Sequence, residues 1–143
     1  RFQNNIPEVL LVHPGCPFWA KKDEGAWSIP EGVIADDENP LNAAIRELYE
    51  ETGLELTASS FIELTPVKQK SGKLVLAWAV EGNFDTDALV SNSFELEWPP
   101  KSGNRKSFAE VDEAGWFNMD EAKSKILPGQ VALINELEKK LAT

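Results

Sequence analysis

Asn39 and Gly53 bracket the segment that most constrains this chain. Asn39 is a strong helix N-cap, and Pro40 fits the first helical position, where a missing N–H costs nothing. Gly53 can take the left-handed conformation that ends a helix. Between them Leu41, Ala44, Ile45 and Leu48 recur at i, i+3, i+4 and i+7, which predicts one helix with one apolar face. That face has to be covered, and the flanking sequence is rich in strand signals. Glu8 to His13 is an apolar run ending at Pro14-Gly15, and Trp27 to Gly32 reads as a strand end passing into a loop. Phe61 to Gln69 and Lys73 to Glu81 form a predicted hairpin around Ser71-Gly72, with shorter strands at Phe94 to Trp98 and Gly115 to Asn118. Residues 82–93 and 99–110 read as surface loops. Asn118 caps a helical turn through Glu121 and Lys125, and Val131, Leu133, Ile134, Leu137 and Leu141 mark a final amphipathic helix. This order implies an α/β chain with a mixed β-sheet flanked by helices, an α/β/α sandwich, in a single domain over 1–143.

The bracketed helix also carries an electrostatic problem. Glu47, Glu50 and Glu51 stand at i, i+3 and i+4, on one stripe at about 100° per residue. They crowd the last two turns, where the helix dipole disfavours carboxylates. Residues 31–55 hold eight carboxylates and one cation, Arg46. A stripe of this kind is ordinarily a solvated face. Here the cost of crowding makes sense if a divalent cation sits among the glutamates. Mg²⁺ or Mn²⁺ takes carboxylate, carbonyl and water oxygens and bridges readily to phosphates.

The rest of the composition narrows the chemistry. One His (His13) and one Cys (Cys16) exclude multi-histidine metal centres, Cys-x-x-Cys zinc sites and an intrachain disulfide. A formal charge of −10 gives no global reason to bind a nucleic-acid backbone or an anionic membrane. No apolar run reaches the ~18 residues of a membrane span. A soluble, cytoplasmic monomer or homodimer is the expectation.

Gly32, five residues, Glu38, seven residues, then Arg46-Glu47-Leu48-Tyr49-Glu50-Glu51-Thr52-Gly53-Leu54 match every fixed position of the Nudix box. The chain therefore resembles the Nudix hydrolases, with a MutT-like size. The resemblance implies hydrolysis of a nucleoside diphosphate linked to another group, by water attack on phosphorus with Mg²⁺ or Mn²⁺. It implies Glu47, Glu50 and Glu51 as metal ligands, with Glu50 or Glu51 also deprotonating water. Arg46 corresponds to the arginine that orients a box glutamate, Glu38 to the supporting glutamate, and Gly32 to a position whose carbonyl approaches a metal. A further family carboxylate outside the box corresponds best to Glu110, with Asp112 and Glu113 as competitors. Compared with the family, the first strand is mostly missing or trimmed at the N-terminus. Position 31 is Glu where many relatives have Lys, which would repel phosphates.

That substitution moves the search for positive charge to Lys21, Lys22, Lys68 and Lys70. Phe18, Trp19 and Trp27 are candidates to stack on a nucleobase. The expected substrate is a small nucleotide, a nucleoside triphosphate or a dinucleoside polyphosphate. The competing reading is a catalytically silent nucleotide-binding or sensor module on the same fold, which intact box carboxylates disfavour.

Overall fold

The computed structural model describes residues 1–56 and 60–142. Its spine is an antiparallel pair, β2 (Ile6–Pro14) with β9 (Val111–Asn118), and β1 (Phe2–Gln3) adds to the outer edge of β2. Apolar residues cover both faces of this pair. Leu11 packs with Trp27, Met119, Ala122, Ile126 and Ile134 on one face. Val12 packs with Phe84, Val111 and Ala114 on the other. Strands buried on both sides read as continuous apolar runs, as Val9 to Val12 does.

The predicted hairpin forms, but in two pieces. Ile62–Glu63 (β3) pairs with Trp78–Ala79 (β6), and Val67–Lys68 (β4) with Leu74–Val75 (β5). The register slips by one residue between the pieces, at Thr65-Pro66, where proline has no N–H for the ladder. Leu64, Val75 and Ala77 join Leu133 in a third apolar cluster.

The largest correction falls on residues 99–110. Arg105–Ala109 is a strand (β8) paired residue for residue with Ser93–Glu97 (β7), not a loop. Arg105, Lys106 and Ser107 hide it, because half of the hairpin faces water and reads as polar. The strand expected at Gly115 to Asn118 also starts earlier, at Val111, because Asp112 and Glu113 lie within it. Asp112 is an extra residue: His13 faces Glu113 while Pro14 faces Val111, so β9 bulges there. The ladders are antiparallel, and a parallel bridge joins Trp27 to Ile126.

Helix α1 spans Pro40–Thr52, as its caps predict. The Asn39 side chain accepts from the Leu41 and Asn42 N–H groups, and Gly53 adopts φ 81°. Its most buried residues are Ala43, Glu51 and Thr52, so part of its acidic side turns inward. The apolar stripe instead lines a cavity of about 430 Å³ shared with Leu133, Ile134, Leu137 and Leu141. Helix α2 (Met119–Lys125) begins with a capping box between Asn118 and Glu121 and ends with Lys123 and Lys125, which suit the dipole. Helix α3 (Val131–Leu141) closes the fold. No helix among the described residues is long and apolar enough to cross a membrane.

Gly15 sits where β2 meets the β8–β9 connection, and its N–H donates to the Glu110 carbonyl at 3.0 Å. A Cβ there would lie 1.9 Å from the Ala109 carbonyl oxygen. Gly15→Ala is therefore expected to cost on the order of 2 kcal/mol, read from urea denaturation. Unchanged stability would show that the two backbones can separate freely.

Candidate active site

The site is organised by Arg46, which projects from the middle of α1. Its Nε and NH2 groups donate to the two oxygens of Glu38 at 2.8 and 2.9 Å, a bidentate fork. NH1 donates to Glu47 at 2.9 Å and to Glu50 at 3.0 Å, and NH2 also reaches the Val33 carbonyl at 3.1 Å. One guanidinium thus holds three carboxylates and the loop before the helix. Glu38 in turn accepts the Ala35 N–H at 3.0 Å. These bonds, Arg46's first, lower the Glu38 carboxyl to about 2.

Glu47 lies directly over Gly32: a Cβ at that glycine would fall 1.9 Å from the Glu47 carboxyl carbon. Only glycine leaves room for this approach. Burial pushes the Glu47 carboxyl up, Arg46 opposes the rise, and the charges of Glu50 and Glu110 add to it.

Glu51 is the buried member, 9% exposed. Its Oε2 accepts the Glu31 N–H at 3.0 Å. Burial raises its carboxyl to about 8, against that hydrogen bond and with the help of the charges on Glu31, Glu47 and Glu110. No buried side-chain oxygen lacks a partner among the described residues, and Oε1 takes no described hydrogen bond, so Oε1 reaches solvent.

Glu110 comes to this group from a distant part of the sequence. Asn92 carries the link: its N–H donates to the Glu50 carbonyl and its C=O accepts the Glu110 N–H, each at 2.8 Å. Among the three sequence candidates outside the box, Glu110 is the one whose charge acts on Glu47 and Glu51. Asp112 is taken by His13, Nδ1 to Oδ1 2.8 Å, and His13 Nε2 meets the Lys22 carbonyl at 2.6 Å. Burial works against a charged imidazole there, but acceptors on both ring nitrogens outweigh it and raise its pKa. His13 is a latch between the turn after β2 and β9.

Glu31 is anchored at the edge of the site. Its carboxylate points to Gln130 Nε2 at 2.9 Å and to Lys73 Nζ at 3.1 Å, while Gln130 Oε1 accepts the Ile29 N–H. Lys73 is the lysine that reaches this loop; Lys68 and Lys70 are exposed, with no described bond to a box residue. Lys21 and Lys22 line a separate open cleft of about 750 Å³ with His13, Asp112 and Lys125, and no box residue lines it. The Lys22 ammonium lies 4.8 Å from the half-buried Trp19 ring. Trp27 is 5% exposed, packs in the core, donates Nε1–H to Asp23 and lines the same cleft, away from the box residues. Lys73, Gln130 and Asn92 carry no signal in the sequence, having neither periodicity nor motif.

As they stand, no three acidic, imidazole or thiol side chains among the described residues converge closely enough to enclose a metal ion. The donor set nevertheless fits a hard divalent cation. The charges of Glu50 and Glu110 act on Glu47, those of Glu47 and Glu110 act on Glu51, and Glu51 is raised to about 8 by burial and its acidic neighbours. A cation would supply the charge that Arg46 alone does not.

Two outcomes follow. Without added metal, the folded state must keep a proton on Glu51 between about pH 4.5 and 8, so its contribution to stability is intact below that window and falls by up to about 1.4 kcal/mol per pH unit across it. Glu51→Gln should remove this slope and be the more stable protein at pH 8, by thermal unfolding at several pH values; parallel curves would contradict the burial. Glu31→Lys, which breaks the bonds to Gln130 and Lys73, should lower stability by about 1–3 kcal/mol rather than improve the site, and an unchanged denaturation midpoint would refute that anchoring.

Comparison with known proteins agrees with this geometry. The NUDIX domain family pattern matches residues 2–137. The chain is 32% identical over 102 residues to an m7GpppN-mRNA hydrolase of Saccharomyces cerevisiae, covering 68% of this chain and 10% of that protein. It is 43% identical over 54 residues to an RNA pyrophosphohydrolase of Francisella philomiragia, covering 37% of this chain and 35% of that one. The chain thus spans about a tenth and about a third of these relatives. Among solved structures, a C. elegans Ap4A hydrolase in a binary complex superposes with TM-score 0.62 at 20% identity, over 94% of this chain and 87% of that one. The NUDIX domain of Shewanella oneidensis NrtR with ADP ribose gives 0.61 at 19%, over 97% and 80%.

Proposed function

The chain belongs to the Nudix family, and on that premise we propose that it is a divalent-metal-dependent hydrolase of phosphoanhydride bonds in nucleotides. The observation that carries this is the electrostatic coupling of Glu47 and Glu51 to Glu110, beside an arginine that holds Glu47 and Glu50. A silent module would have no use for four mutually repelling carboxylates kept together at a cost in stability.

In this reading Glu47, Glu50, Glu51 and Glu110, with the Gly32 backbone, hold Mg²⁺ or Mn²⁺. When bound, such a cation neutralises phosphate charge and makes water a better nucleophile at neutral pH. The chain's own residues supply the rest. With a cation bound beside it Glu51 would be ionised, and its Oε1, which takes no described hydrogen bond, would be the oxygen left to accept a proton from water. Glu50 is the alternative base, and its tie to Arg46 orients it. Glu38 fixes the plane of the Arg46 guanidinium, so loss of either loosens Glu47 and Glu50 together. Lys73, paired with Glu31, is a candidate source of positive charge for a substrate phosphate.

The substrate is a nucleoside carrying a phosphoanhydride: a nucleoside triphosphate or a dinucleoside polyphosphate. The names of the similar proteins put RNA 5′ ends and Ap4A in the same chemical class. The net charge of −10 favours the small-molecule end of that class over a long RNA backbone.

Screening nucleoside triphosphates, dinucleoside tetraphosphates, ADP-ribose and 5′-triphosphorylated RNA with Mg²⁺ or Mn²⁺ should reveal hydrolysis that chelation abolishes. Glu50→Gln and Glu51→Gln should each lower kcat at least about a hundredfold, the lower range expected for general acid–base groups. Turnover indifferent to both substitutions, or to EDTA, would end the proposal.

A further inference from the structure

The β7–β8 hairpin has two unlike faces. Its register puts Phe94 opposite Phe108 and Leu96 opposite Lys106, and Trp98 continues the row. The other face is Ser93, Glu95 and Glu97 with Arg105, Ser107 and Ala109. Phe94, Leu96, Trp98 and Phe108 are all half-buried, and none belongs to an apolar core cluster. The apolar face is therefore neither covered by the core nor fully surrendered to water.

This face is continuous with the candidate active site. Asn92 and Glu110 extend the ladder through the Glu110 N–H to Asn92 carbonyl bond. By strand alternation Glu110 ends the row that Phe108 and Lys106 begin. At the opposite end Trp98 meets Phe18 edge-to-face, with ring centroids 5.1 Å apart. That contact is not a cross-strand pair of the hairpin. Phe18 belongs to the turn Pro17–Trp19, which starts four residues after His13 and two after the Gly15 N–H bond to Glu110. The backbone that fixes Glu110 also delivers Phe18, which stays 56% exposed.

Charge points the same way. Residues 98–109 hold Lys101, Arg105 and Lys106 and no carboxylate, in a chain of net charge −10. Arg105 is spent on Glu95 across the polar face, whereas Lys106 lies in the aromatic row. From Glu110 to the position opposite Trp98 is six residues of strand, about 20 Å. A compact nucleotide reacting at Glu110 cannot also reach Trp98.

We propose that the Phe94–Trp98 row, closed by Phe18, is a subsite for the distal nucleobase of an extended nucleotide whose polyphosphate passes Lys106. The ligand class is a dinucleoside polyphosphate. This deepens the hydrolase reading and rests on it only for the position of the near end of the ligand.

The test measures binding, apart from turnover. Methylene-bridged diadenosine tetraphosphate and methylene-bridged ATP are titrated with Mg²⁺ into the wild-type protein, Phe18→Ala and Trp98→Leu, by calorimetry. Phe18→Ala removes an exposed ring and keeps the fold, which circular dichroism checks independently of Trp98→Leu. The expected result is a loss of about tenfold or more in affinity for the dinucleotide, the order one base–aromatic stack supplies, with ATP affinity unchanged. Lys106→Gln should weaken the dinucleotide in the same selective way. Equal losses for both ligands, no loss for either, or no binding of the dinucleotide would overturn the subsite. Selective binding without hydrolysis of the natural dinucleotide would instead defeat the hydrolase reading and leave the subsite standing.

Discussion

Everything in the candidate site passes through the Arg46 guanidinium. A planar group with five donors can engage several carboxylates at fixed angles, which a lysine ammonium cannot do. Here it holds Glu38 from the loop and Glu47 and Glu50 from its own helix, and it adds the Val33 carbonyl. The fork ties the acidic loop before α1 to the helix at Glu38 and Val33. It also explains how three glutamates tolerate the wrong end of a helix dipole. Two are bound to a cation, and the third is buried deeply enough to favour its proton.

A second constraint acts at the backbone level. Where β7 and β8 reach α1, their ladder opens. Asn92 turns its N–H to Glu50, and Glu110 turns its carbonyl to Gly15. Each strand keeps its hydrogen bonds satisfied by gripping a different neighbour, so no polar backbone group is sacrificed in carrying Glu110 to the box. Thr52 locks the adjacent helix end in the same manner: its hydroxyl donates to the Leu48 carbonyl and accepts the Leu54 N–H. The catalytic candidates thus come from distant parts of the sequence but share one hydrogen-bonded frame.

Much of this was legible in the sequence, and the reasons for success and failure are physical. Helix α1 announced itself because both caps and the apolar period are local properties, and the box glutamates follow from their spacing. The partners of those residues were harder to see. Trp27 looked available because aromatic residues near a loop look alike whether they face a ligand or a core. Lys73 was not singled out because its contact with Glu31 joins residues 42 apart in the chain, and such a pairing leaves no mark in local composition. Strand β8 was hidden because a half-exposed hairpin with a basic edge has the composition of a loop. Glu110 could be picked from the family resemblance, but its separation from Asp112 depends on a bulge.

That bulge sets a rule for length. The tip of the β7–β8 hairpin, residues 99–104, can grow or shrink with little effect on the frame behind it. Between Glu110 and Glu113 the chain has no such freedom. Deleting Asp112 would let β9 run straight against β2, free His13 from its partner and remove the bend that turns Glu110 toward α1. Insertions and deletions in descendants of this chain should therefore collect at the hairpin tip and avoid that short stretch, where the count of residues, more than their identity, holds the sheet and the glutamates in step.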